Sequence, residues 1–217
     1  MTKIKVLLVI LSCKKNERLW KRLLRKNPDS IIFYGNPKQE EEYILENRIL
    51  HLKCGDTYDL LPEKIINMIK SILLLDSFKN VTHIIKIDDN DAIINKNIIK
   101  KIPNISTVDY GGQRIYGYGL PYNTFKGNKS WHFNKCPKNS TWFNRKYKGP
   151  YTAWADGACG YILSRKSMDL IDKSVNDLNS IKTKHIFEDL MIALILYNNK
   201  IHPKKTSNFI IKKTKYG

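Results

Sequence analysis

The stretch Val81–Ile87 constrains this chain most. It is dominated by apolar, β-branched residues and stops abruptly at Asp88-Asp89-Asn90-Asp91. Such a run reads as a strand buried on both faces, as in a parallel sheet. Three carboxylates within four residues repel one another unless something positive compensates, and hard divalent cations take carboxylate oxygens. The plain rival is a solvated acidic turn with Asn90 at its tip, since Asp and Asn also form turns. The position after a buried strand weighs against that rival.

The rest of the chain supplies neighbours for such a strand. Lys5–Ser12 is a second buried run, and Ser30–Tyr34 and Arg48–Leu52 are further short strands. Glu17–Lys26 reads as a basic helix with Leu19, Leu23 and Leu24 on one side. Asp59 offers a cap and Pro62 a first turn for a helix carrying Ile65, Ile69, Ile72 and Leu73 at helical spacing. Further on, the pattern predicts a short helix over Asn95–Lys101 and strands over Val108–Gly112 and Gly160–Ser164. Helices follow over Lys166–Val175 and Glu188–Tyr197, and a last strand over Phe209–Ile211 precedes a Lys-rich tail. Strands alternating with helices predict an α/β fold with a mostly parallel central sheet flanked by helices. In such sheets ligands bind beyond the carboxyl ends of strands. Residues 113–151 break the pattern: they are rich in Gly, Tyr, Trp, Asn and Lys, and so long a loop is usually functional. Tyr116, Tyr118, Trp131, Trp142, Tyr151 and Trp154 offer aromatic faces that suit sugar rings and bases alike, with about half of them expected to bury the loop against the sheet.

A length of 217 residues favours one domain spanning the chain. Lys plus Arg is 38 against 20 for Asp plus Glu, a net charge of +18 that attracts anions. The basic residues are scattered, so a solvated Lys-rich surface accounts for them equally well. Cys13, Cys54, Cys136 and Cys159 form no CxxC pair, and the apolar run Val6–Leu11 is too short to span a bilayer. With neither a signal peptide nor a transmembrane segment in view, free thiols and a cytoplasmic location are expected, or a host's cytoplasm if a virus or parasite encodes the chain.

Three other sites carry candidate chemistry. Glu188-Asp189 opens an apolar helix, where acidic residues usually serve as caps or dipole partners. His202, in Ile201-His202-Pro203, offers one nitrogen donor to an oxygen-rich site. Asp156-Gly157-Ala158-Cys159-Gly160-Tyr161 is a small-residue run in which backbone can approach a ligand closely, with a simple turn as the rival.

Taken in order, these pieces resemble the β1,3-glycosyltransferase family of galactosyl- and N-acetylglucosaminyltransferases and Fringe enzymes. Val6–Ser12 with Arg18 is similar to the family's first strand and arginine-rich helix. The segment Asp56-Thr57-Tyr58-Asp59-Leu60-Leu61-Pro62-Glu63-Lys64 is similar to its Asp-x-Tyr-x-Asn-Leu-x-x-Lys stretch. Lys86-Ile87-Asp88-Asp89-Asn90-Asp91 resembles its Lys-Thr-Asp-Asp-Asp metal motif. Gly157–Ser164 with Arg165 resembles Ser-Gly-Gly-Gly-Tyr-Val-Leu-Ser, Glu188-Asp189-Leu190 resembles Glu-Asp-Val, and Ile201-His202-Pro203 resembles Phe-His-Pro. The chain departs from the family at Asn90, Ala158 and Cys159, and in lacking the usual membrane anchor and stem.

The resemblance implies a single Rossmann-like GT-A domain. Its nucleotide-sugar part would cover about 1–112, its acceptor part about 113–205, and a basic tail 206–217. It implies a UDP-sugar donor, a glycan or protein acceptor, and an inverting mechanism. Mn²⁺ or Mg²⁺ on Asp89, Asp91 and His202 would bridge the diphosphate, and which carboxylate of the cluster holds the metal stays open. Asp88 would face the donor ribose or sugar, Lys64 or Lys86 would add charge near the diphosphate, and Arg18 would lie on the donor side. Asp189 is the expected base, with Glu188 orienting it and Asp156 as runner-up. The competing expectations are a basic nucleic-acid-binding protein, a metal-dependent nuclease, and a transferase-like fold without activity.

Overall fold

The computed structural model describes residues 4–89, 93–94, 105–206 and 210–212. The expected helix over Asn95–Lys101 and the end of the basic tail lie outside them. The first strand, β1 (Val6–Leu11), is followed by helix α1 (Glu17–Lys26) and strands β2 (Ser30–Gly35), β3 (Tyr43–Glu46) and β4 (Ile49–Leu52). Helix α2 (Leu61–Leu74) leads to β5 (His83–Asp88), followed by the short strands β6 (Ile93–Ile94), β7 (Tyr110–Gly112), β8 (Ile115–Tyr116) and β9 (Trp154–Ala155). The chain then runs through β10 (Tyr161–Ser164), α3 (Arg165–Ser174), α4 (Leu178–Lys184), α5 (Glu188–Asn198), β11 (Lys204–Lys205) and β12 (Ile210–Lys212).

The main sheet has eight strands in the order β11-β7-β10-β5-β1-β2-β4-β3. Its centre is parallel: β5, β1, β2 and β4 run the same way. Helices α1 and α2 make the return connections that parallel strands require. Strand β10 runs antiparallel between β5 and β7, and β3 closes one edge as an antiparallel partner of β4. The last strand pairs with β6 in a separate two-stranded sheet rather than extending the main one.

The unbroken apolar runs follow from burial on both faces. Successive strand residues point to opposite sides. Val9, Ile31, Phe33, Ile84 and Leu163 pack with Ile65, Ile69 and Met168 on the face covered by α2 and α3. Ile10, Ile32, Ile85, Ile87 and Ile162 pack with Trp20, Leu23 and Leu24 of α1 on the other. Arg165 ties the first layer together, because its guanidinium donates to the carbonyls of Leu73, Phe78 and Val81 at 3.2–3.3 Å. Those carbonyls lie at and beyond the end of α2, where helix acceptors otherwise lack partners.

Helix α5 is apolar all round, as a helix enclosed on every side must be. Met191, Ile192, Ala193 and Leu196 face the sheet core. Leu190 and Leu194 face a second cluster built from Trp142, Tyr147, Tyr151 and Ile186. The helix is thereby fixed between the sheet and the long 113–151 segment.

Ile10 is fully buried in β1, the strand flanked by β2 and β5. Ile10→Ala should cost about 2–5 kcal/mol in urea unfolding, with an unchanged denaturant slope. A loss well under about 1 kcal/mol would show that this face is not close-packed core.

Candidate active site

The register of the central strands sets the site. Leu11, the last residue of β1, lies opposite Asp88, the last residue of β5. The next residues, Ser12 and Asp89, therefore leave the sheet side by side. The Ser12 hydroxyl donates to Asp89 Oδ2, which also accepts from Asn16 Nδ2 at 2.9 Å. The same hydroxyl accepts from Trp20 Nε1 at 2.7 Å, so α1 holds this corner in place.

Two residues before Asp88 in β5, Lys86 is 1% exposed and makes the central contact of the site. Its ammonium lies 2.7 Å from Asp88 Oδ1 and 2.7 Å from Glu188 Oε1. It also donates to the Gly157 carbonyl at 3.4 Å. Burial alone would push the Lys86 pKa down, but the two carboxylates more than offset this and it stays a cation. Tyr161 of β10 donates its hydroxyl to the other Glu188 oxygen at 2.9 Å. Asp88 and Glu188 come from distant parts of the chain and meet only through this lysine.

Beside Glu188, Asp189 accepts the Gly157 N–H on Oδ2 at 3.0 Å and the Leu190 N–H on Oδ1 at 2.8 Å. Burial, followed by the charge of Glu188, pushes its carboxyl up to about 7. These N–H bonds and Lys86 pull the other way without cancelling the burial. A Cβ at Gly157 would sit 2.7 Å from Glu188 Oε1, the oxygen that accepts from Lys86, so a side chain here would displace Glu188 from the lysine. Asp156 accepts the Ala158 N–H at 3.0 Å and lies 3.5 Å from the exposed guanidinium of Arg114.

These groups line a cleft of about 650 Å³, within the range of small-molecule sites. Lys86, Asp88, Asp156, Gly157, Glu188 and Asp189 form its polar side. Tyr58, Tyr116, Trp131, Tyr151 and Trp154 form much of the rest, with Lys135 placed 3.8 Å over the Trp131 ring. Of the six aromatic residues expected at an acceptor surface, Trp142 and Tyr151 are buried, Trp154 is half-buried, and Tyr116, Tyr118 and Trp131 are exposed.

Other expected site residues fall elsewhere. Lys64 is buried against Asp56 and donates to the Ser12 carbonyl at 3.3 Å, so it braces the end of β1 rather than lining the cleft. Arg18 is exposed on α1 and His202 is exposed beside the Tyr197 ring; neither lines the cleft. Asp91 lies outside the described residues. Among the described residues no three His, Cys, Asp or Glu side chains gather closely enough to hold a metal ion by themselves.

Sequence reasoning missed Tyr58, Arg114 and Lys135 as parts of the site, and Asp56 as the brace behind it. Asp56 accepts the N–H groups of Lys14 at 2.6 Å and Gly35 at 3.0 Å besides its ion pair with Lys64, pinning the ends of β1 and β2 together. Its place at the head of a recognisable segment was the available signal. Arg114 and Lys135 sit in an aperiodic region, where nothing in the sequence marks which side chains face a cleft.

No family model matches the chain, and no curated protein matches it. Among solved structures, the bifunctional IspDF from Campylobacter jejuni is similar at 14% identity over 82% of this chain, with a TM-score of 0.34. The chain spans 47% of that protein's length.

The raised carboxyl of Asp189 makes stability depend on pH. Its favourable protonated form is fully retained below the unfolded value, and that benefit is lost as pH rises through the folded value. Asp189→Asn should therefore gain melting temperature over the native chain as pH rises from about 4 to about 7, with a level difference above that. A difference that does not change with pH would mean that this carboxyl is not held protonated by its surroundings.

Proposed function

We propose that the chain is an inverting glycosyltransferase acting on a nucleoside diphosphate sugar with a divalent cation. The observation that carries the reading is the placement of Asp189 in the cleft wall, linked through Glu188 and Lys86 to Asp88 at the end of β5. A group able to take a proton and a group suited to the leaving diphosphate thus share one cleft. The ordered sequence motifs support the same reading, and UDP is the expected carrier.

Mg²⁺ or Mn²⁺ commonly takes only one or two protein carboxylates when phosphates supply the remaining oxygens. Asp88 lines the cleft and uses Oδ1 on Lys86, while Asp89 uses Oδ2 on Ser12 and Asn16. Among the described residues the second oxygen of Asp88 has no protein partner, so Asp88 offers one such carboxylate from the cleft lining, whereas Asp89 does not line the cleft. The cation, when bound, would neutralise the charge that develops on the leaving diphosphate.

The remaining chemistry belongs to the chain. Asp189 removes the proton from the acceptor hydroxyl while its oxygen forms the new bond to the anomeric carbon. The bond from that carbon to the diphosphate breaks on the opposite face, and its electron pair leaves with the phosphate. Gly157 N–H and the Leu190 N–H fix the carboxylate's orientation, and Glu188 is held off by Lys86 and Tyr161. The aromatic wall gives the acceptor apolar ring faces to lie against.

Calorimetric titration with UDP should show binding that requires Mn²⁺ and that Asp88→Asn weakens by about tenfold or more. Asp189→Asn should leave UDP binding intact and lower transfer by about 10²–10⁴-fold. Since the base must be ionised, transfer by the native chain should rise with pH through about 7. Absence of UDP binding with any divalent cation would sink the uridine-donor assignment.

A further inference from the structure

A second cleft, of about 310 Å³, lies on the other side of the aromatic wall. Its rim carries Arg145, Lys146, Lys148 and Lys184, all exposed, and no carboxylate lines it. Among the described residues none of these four cations has an ion-pair partner, whereas neighbouring Lys182 is paired with Glu63 at 2.8 Å. Arg145 stacks over the Trp142 ring at 4.9 Å, which presents its guanidinium in a fixed orientation. Four uncompensated cations around one recess repel one another, and an anion relieves that repulsion.

The wall between the two clefts is thin. Tyr147 lines the second cleft and meets Tyr151, which lines the first, edge-on with ring centroids 5.5 Å apart. The chain itself passes from one to the other: Thr183, Lys184 and His185 line the second cleft, and Ile186 to Leu190 line the first. His185 and Asp189 are four residues apart, so their Cα atoms are separated by at most ~14 Å. A short oligosaccharide spans that distance.

The chemistry of the second cleft narrows its occupant. Single-stranded nucleic acid is held by stacking on exposed aromatic faces as well as by charge. Here Trp142 is 3% and Tyr147 1% exposed, so neither offers a free face. Burial and then Lys184 push His185 down to about 4, so it offers hydrogen bonds rather than a further cation. The recess thus combines surface cations with polar hydrogen-bonding groups, which suits an acidic sugar.

We propose that this cleft is an anion subsite for the acceptor, and that the acceptor is an acidic glycan carrying carboxylate or phosphate groups. The glycosylated hydroxyl would lie in the first cleft and an acidic unit of the same chain in the second. This rests on the glycosyl-transfer reading above.

The test uses the full chain and a Lys146→Ala/Lys148→Ala/Lys184→Ala variant, whose three positions are exposed and outside the reaction cleft. Oligogalacturonate and inorganic phosphate are titrated separately to distinguish the carboxylate from the phosphate source, with a neutral oligogalactoside as control. The expected result is binding of at least one anionic probe that weakens with salt and falls about tenfold or more in the variant, with little binding of the neutral control. Unchanged anion binding in the variant, or equal binding of the neutral oligomer, overturns the proposal. Tighter, lysine-dependent binding of single-stranded DNA of equal charge also overturns it, in favour of a nucleic-acid site. Mn²⁺-dependent UDP binding, read on the same two proteins, reports on the donor site of the glycosyl-transfer reading and not on the second cleft, so the two failures are separable.

Discussion

The buried ammonium of Lys86 is the constraint on which the site depends. Moving a charge out of water costs several kcal/mol unless paired and hydrogen-bonded partners replace the solvent. Lys86 finds Asp88 on its own strand, Glu188 at the start of α5 and the Gly157 carbonyl before β10. No two of these are near in sequence except Lys86 and Asp88. Their meeting at one atom fixes the N-terminus of α5 against the carboxyl end of β5. Removing the lysine would leave Glu188 and Asp88 facing each other without compensation, in a place water reaches poorly.

The behaviour of Asp189 follows from the same arrangement. At the start of a helix a carboxylate is ordinarily stabilised by the helix dipole and free N–H groups. Asp189 has such donors, yet its pKa is raised, because burial and the adjacent charge of Glu188 outweigh them. Lys86 is already shared between two other carboxylates and has little left to offer a third. Around the cleft Asp88, Asp156 and Glu188 are matched by Lys86, Arg114 and Lys135, so the lining is balanced while Asp189 is neutral, and ionising Asp189 makes it net negative. On the proposed function, a divalent cation near Asp88 would offset that charge and favour ionised Asp189, coupling donor binding to readiness for proton removal.

Much of the fold was legible because its strands are buried on both faces and its helices carry plain periodicity. Helix α1 has the bounds that its sequence suggests, and β2, β4, β5, β10 and α5 lie close to theirs. The missed elements are those whose patterns are weak. Helix α4 reads Leu-Asn-Ser-Ile-Lys-Thr-Lys, mostly polar, and starts because Asp177 accepts the N–H groups of Asn179 and Ser180. Strand β3 is four residues at the sheet edge next to a Glu-rich stretch, and only its antiparallel pairing with β4 makes it a strand. The reversal of β10 was invisible, since strand direction is set by the path of the connection and not by residue type. For the site, sequence order identified Asp88, Asp156, Glu188 and Asp189, which do share a cleft, but it gave no side-chain direction. Lys64 and Lys86 look alike as conspicuous lysines; one is sealed beneath β1 and the other spans the cleft floor.

The aromatic segment shows how a long stretch without regular strands can still form a wall. His132 is fully buried, bonded through Nε2 to the Arg145 carbonyl at 2.8 Å, and its ring meets Trp142 and Phe187 edge-on. Trp142 donates to the Lys182 carbonyl at 2.7 Å, and Tyr147 to the Pro150 carbonyl at 3.1 Å. Such rings lose little conformational freedom on packing for the area they bury, and the backbone satisfies the polar edges of Trp142 and Tyr147, while His132 Nδ1 and the Tyr151 hydroxyl are buried without a hydrogen-bond partner among the described residues. The segment is thus fastened to α5 by side chains rather than by a strand ladder. Any shift in α5 must move Asp189, the bridge to Asp88 and the aromatic wall together, so the carboxylates and the surface facing them keep their spacing as one unit.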